Sequence, residues 1–202
     1  MLKYLTIGVL LGTTAGISPG PMLTLVISQS LRFGIREGIK IAFAPLLSDL
    51  PIVVISWIIL SRVTGFDQLL GLISLAGGVF LIMLAVEGWR AEIDTTVTSL
   101  AAPRSLTRGL LANILNPHPW LFWLTVGAPT LISAGSPLNS TAYVTGFYLC
   151  LIGSKLIIAT IVGYYRLRLN PQHHRFLLRA LSSVLLLLAA QMILKGCGQI
   201  CS

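Results

Sequence analysis

The sequence predicts an all-α, polytopic membrane protein: six transmembrane helices forming two inverted three-helix repeats, with helices 1 and 4 broken by proline. Three observations lead there. The chain is 55% hydrophobic and 10% charged, whereas a soluble domain carries about 25% charged residues. Its 202 residues accommodate roughly six spans of about 20 residues each. Ser18-Pro19-Gly20-Pro21 and Asn116-Pro117-His118-Pro119 each interrupt the first apolar segment of one half of the chain. Proline removes a backbone donor and clashes with the preceding turn. In hydrocarbon, broken helix is tolerated only where it lines a cavity or packs on protein.

Segment one, roughly residues 4–30, is uncharged between Tyr4 and Leu31. That is longer than the roughly 7–15-residue apolar core of a signal peptide, so it reads as a retained span. Gly8 and Gly12 give it a small-residue face suited to close helix contact. Thr14, Ser18 and Gln29 are weaker polar candidates. Segment two, roughly 39–61, carries Asp49 between Pro45 and Pro51. A carboxylate at membrane depth is costly and marks a functional hypothesis: a proton carrier, an amine ligand, or a cap for backbone freed by the prolines. Segment three, roughly 68–88, has a glycine-rich face at Gly71, Gly77 and Gly78, and ends at Glu87 and Arg90, which suggest an interfacial pair.

A polar connector with Glu92, Asp94, Thr95, Thr96, Thr98, Ser99 and Pro103 separates two groups of three segments. The chain is therefore one transmembrane domain over 1–202, with repeat one at 1–89, the connector at 90–107 and repeat two at 108–202. Segment four, roughly 108–134, opens with Asn113, Asn116 and Pro117. The two asparagines, three residues apart, would share a helical face. Their amides suit a zwitterionic solute, or carbonyls freed by Pro117 and Pro119. Segment five, roughly 141–165, carries Lys155, the repeat counterpart of Asp49. The two charges would pair, or Lys155 would attract a substrate carboxylate. Segment six covers roughly 176–195. Trp57, Trp89, Trp120, Trp123, Tyr164 and Tyr165 include candidate interfacial anchors.

Charge sets the orientation. Arg32, Arg36, Lys40, Arg90, Arg104, Arg108, Arg166, Arg168, Arg175 and Arg179 follow or flank the odd-numbered segments, and only Lys3, Arg62 and Lys195 lie opposite. This bias places the first set in the cytoplasm and both termini outside. Three spans per half then make the second repeat inverted.

The net charge of +8 reads as a topology signal, and no nucleic-acid-binding pattern accompanies it. No soluble-enzyme motif is present, so an enzyme is not expected. No cofactor is implied. Cys150 reads as a buried apolar residue. Cys197 and Cys201 lack the neighbours of a metal site, and a disulfide between them stays open. His118, His173 and His174 form no ligand cluster with acids.

Pro19-Gly20-Pro21, Asp49 and the run from Gly109 through Asn113 and Asn116 to Pro117 resemble the lysine exporter (LysE/RhtB) family across essentially the whole chain. The resemblance implies proton-coupled export (antiport) of amino acids or related small metabolites across a prokaryotic inner membrane, with membrane lipid as surroundings and no nucleic-acid partner. It implies Pro19, Gly20, Pro21, Asp49, Asn113, Asn116 and Pro117 as pore-centre residues, to which the residue reading adds Lys155. His118-Pro119 departs from the family's usual Asn-Pro-Lys continuation, beside the positions that bear on the substrate class. A metal-ion exporter of the same superfamily would favour His, Asp or Cys clusters. A thiol-redox membrane enzyme of the DsbD/CcdA type would need a cysteine beside each break, where Gly20 and His118 stand. The sequence leaves room for association with further copies of the chain as a homo-oligomer.

Overall fold

The structure, a computed structural model, describes residues 1–60, 67–90, 104–168 and 170–201. Arg62 and the connector residues from Glu92 to Pro103 lie outside them, as do the side chains of Trp57, Arg90 and Cys201. Every element among the described residues is helical.

Segment one is α1 (Leu2–Ile17) and α2 (Pro21–Phe33), bent by 59° at the proline motif. Pro21 takes the first position of α2, where its missing N–H costs nothing and its φ is already helical. Gly34, at φ 99°, turns the chain into α3 (Ile35–Ala42). Phe43 interrupts the helix before α4 (Ala44–Leu60), because Pro45 cannot donate into the ladder. The long helix α5 (Asp67–Arg90) completes the first half.

Segment four is the most fragmented. It consists of α6 (Ser105–Ile114), α7 (Pro117–Phe122), a π-helical turn (Trp123–Gly127) and α8 (Ala128–Ser133). Pro117 starts α7 as Pro21 starts α2. The π turn directly precedes Pro129, whose ring and absent N–H force the ladder to widen. Gly127 leaves room there for the Trp123 ring, with which a side chain would collide. Then follow α9 (Pro137–Tyr165), a short 3₁₀ turn (Arg166–Arg168) and α10 (Pro171–Cys201).

Three helical stretches are long and apolar enough to cross a membrane by themselves: Ile35–Ser56, Pro137–Tyr165 and Arg175–Gly198. The bent α1–α2 pair makes a fourth, and Gly71–Glu87 is a shorter apolar helix. The six expected segments are all helical, but the prolines of segment four leave no piece long enough to span alone.

The surface is apolar and many polar groups turn inward. Leu46, Leu47, Leu50 and Val54 of α4 are exposed, while Ser48, Asp49 and Ser56 are buried. A lipid-facing helix surface has this pattern. Helices α1 and α9 pack along each other, as do α5 and α10. Gly8, Gly12 and Gly16 make the first contact possible: a Cβ at Gly8 or Gly12 would strike the Tyr143 or Phe147 carbonyl, and one at Gly16 would lie 2.8 Å from Ser154 Cβ. Close backbone approach over small residues is the packing mode membranes favour.

Candidate functional site

Asp49 is the centre of a buried polar cluster. It is 4% exposed, and its two oxygens are divided between two helices of the second half. Asn113 Nδ2 of α6 donates to Oδ1 at 2.6 Å, and the Tyr148 hydroxyl of α9 donates to Oδ2 at 3.1 Å. The Trp123 indole lies within reach of the same carboxylate. Asn113 also donates to Ser48 Oγ at 2.8 Å, and Ser48 donates to the Ala44 carbonyl at 2.9 Å. A carboxylate in an apolar surround needs such donors.

Aromatic rings fix the second-half partners. Phe147 stacks on Phe122 at 5.0 Å and meets Trp123 and Tyr148 edge-on at 5.7 and 5.2 Å. These are favourable aromatic geometries, and they hold the Tyr148 hydroxyl toward Asp49.

Lys155 is 3% exposed and does not pair directly with Asp49: the ion pairs within 4.0 Å among the described residues all involve Glu37 or Glu87. Its ammonium donates instead to the Ala15 and Gly16 carbonyls, at 3.3 and 3.1 Å. Those carbonyls end α1, where the proline break removes their helical donors. A cation there also opposes the negative end of the helix dipole. Each member of the expected pair thus has its own partners, and Asp49 acts on Lys155 only through its field.

The asparagines separate. Because α6 ends at Ile114, Asn116 does not share a helical face with Asn113. It is the N-cap of α7, its Oδ1 accepting from the His118 N–H at 3.1 Å. Trp120 Nε1 donates to the Ile114 carbonyl at 2.8 Å, repairing the other side of the break. Trp120 and Trp123 are interior rather than interfacial, while Trp89, Tyr164 and Tyr165 are exposed.

At the first break Pro19 and Ser18 are exposed and Pro21 is buried. Gly20 is extended, and a Cβ there would meet nothing within 4 Å. Pro21 and Pro117 line one cavity of about 40 Å³, shared with His118 and residues of α5 and α10. The two breaks therefore meet at a common space.

Of the weaker candidates, Gln29 is buried and accepts from Ser105 Oγ at 3.1 Å. Thr14 is exposed and bonds its own helix at Leu10. Glu87 binds Arg108 at 2.9 Å and Arg32 at 3.4 Å, joining the two halves; its expected partner Arg90 lies outside the described side chains. Cys150 and Cys197 carry free thiols. Tyr148, Trp123 and Phe147 were not among the expected site residues. Tyr148 stands seven positions before Lys155, on the same face of α9, and that spacing was the available signal.

The uncharacterized membrane protein YahN of Escherichia coli (strain K12) is 27% identical over 135 residues, covering 63% of this chain and 60% of YahN. The chain thus spans less than two thirds of that relative's length. No solved structure matches. The profile of the LysE type translocators matches residues 14–196, an interval holding both proline breaks, Asp49, Asn113, Tyr148 and Lys155, and the chain belongs to that family.

Proposed function

We propose that the chain exports amino acids or related small metabolites across a prokaryotic inner membrane by proton antiport. In this reading the two halves are inverted repeats, with Pro19–Pro21 and Asn116–Pro117 at the centre of the pathway. The carrying observation is Asp49, 4% exposed and shared between donors from α6 and α9. An intramembrane carboxylate with polar partners but no direct counter-ion can exchange a proton when those partners separate. Substrate passage between the halves would separate them. Lys155, bound to the end of α1, would move with the first break and present its charge to the same path.

The inverted repeat is supported by the packing. Contact of α1 with α9 joins span one to span five, and contact of α4 with α6 and the π turn joins span two to span four. These are equivalent under exchange of the halves, and α5 against α10 maps onto itself.

The test is flux in proteoliposomes loaded with an amino-acid panel under an imposed pH gradient. Export of at least one amino acid that stops when a protonophore collapses the gradient is expected. Gradient-independent flux across the whole panel would overturn the antiport.

A further inference from the structure

We infer that the cavity between the two proline breaks is a carboxylate-binding subsite that selects anionic and neutral substrates against cationic ones. This rests on the export reading and names the substrate class for it.

The cavity is lined by Pro21 and Pro117 at the breaks, His118 of α7, Ser74 of α5, and Gln191 and Lys195 of α10. Its polar groups include one cation and several neutral groups that can donate. Lys195 supplies an ammonium, His118 an imidazole and Gln191 an amide, and no carboxylate occurs among the described residues that line it. His118 and Lys195 border the same space. A ligand of net positive charge would meet the Lys195 ammonium with no acid lining the cavity to offset it, whereas a carboxylate would find donors in Lys195 and Gln191.

Size agrees with a carboxylate. A water needs roughly 10–15 Å³ of such space, so a cavity of about 40 Å³ holds the volume of a carboxylate group and its nearest water. It does not hold a whole amino acid. Asp49 does not line this space, so the cavity receives one end of the substrate and leaves the rest to the path between the halves. Lysine and arginine carry a net positive charge, which the Lys195 ammonium opposes at longer range.

Ligand-induced thermal shifts of the purified full chain, with L-glutamate, L-serine, L-lysine and L-serine methyl ester as probes, test this without depending on transport. L-Glutamate and L-serine are expected to bind, and L-lysine and the ester are not. Losing a hydrogen bond to a charged group weakens binding by roughly tenfold to a hundredfold, so Lys195→Gln should weaken L-glutamate by that factor. Lys195→Arg should retain binding, and Lys195→Glu should admit L-lysine. Lys195 is exposed, so these variants should fold. Preference of the wild type for L-lysine, binding of the ester equal to that of L-serine, or indifference to Lys195→Glu would overturn the subsite. Selective binding without gradient-driven flux would instead remove the export reading and leave the subsite standing.

Discussion

Asp49 is held by hydrogen bonds rather than by an ion pair, and that decides which substitutions are informative. Removing one partner of a buried charge costs about 3–5 kcal/mol, enough to lose the protein. An interhelical hydrogen bond in a membrane averages only about 0.6 kcal/mol, with a maximum near 1.7. Tyr148→Phe should therefore express and insert normally, with stability lowered by about 1 kcal/mol, and should show an altered pH-gradient dependence of export. Unchanged flux at every gradient would remove Tyr148 from the pathway. Asp49→Asn keeps the Asn113 contact possible and should abolish gradient dependence. Lys155→Met leaves the Ala15 and Gly16 carbonyls without their donor, so it should destabilise the end of α1 whatever stands at 49. Full gradient-driven export by the combined Asp49→Asn, Lys155→Met variant would reject the coupling role of both charges. Asp49 and Asn113 could be read from sequence because polar groups at membrane depth stand out. Tyr148 and Trp123 could not, since an aromatic residue in an apolar run looks like packing until its neighbours are known.

Among the elements, the first span contains two glycines with opposite meanings. Gly12 lies against the Phe147 carbonyl of α9, while Gly20 borders open space. Overpacking a close contact costs about 1–3 kcal/mol, so Gly12→Ala should lower the melting temperature in detergent and Gly20→Ala should not. Gly20→Leu should leave the melting temperature unchanged and sharply reduce flux in proteoliposomes. Equal melting losses at both positions would contradict the open space at the break. Both breaks were legible because proline acts on its own local backbone. The separate role of Asn116 was not, since the three-residue spacing from Asn113 assumed a helix that in fact ends at Ile114. The π turn before Pro129 follows from the same proline chemistry, but its extent depends on the Trp123 ring packed over Gly127.

For the whole molecule, orientation joins charge to architecture. If all six segments cross, the sequence places ten basic residues toward one side and three toward the other, and short basic links are expected in the cytoplasm. Glu87 is consistent with this, since it gathers Arg32 and Arg108 from different halves at the same end of the bundle. If the repeats are inverted, Cys197 near the end of α10 faces outward, and Arg175 near its start faces the cytoplasm. Cys197 is exposed and free, which makes it a ready reporter. With Cys150 and Cys201 changed to serine, a membrane-impermeant maleimide should label Cys197 in intact cells. In a chain also lacking Cys197, Arg175→Cys should be labelled only after permeabilisation. The reverse pattern would invert the topology. Labelling of both positions from outside would mean that α10 does not cross, leaving an odd number of crossings, and the symmetry that pairs α1–α9 with α4–α6 would lose its basis.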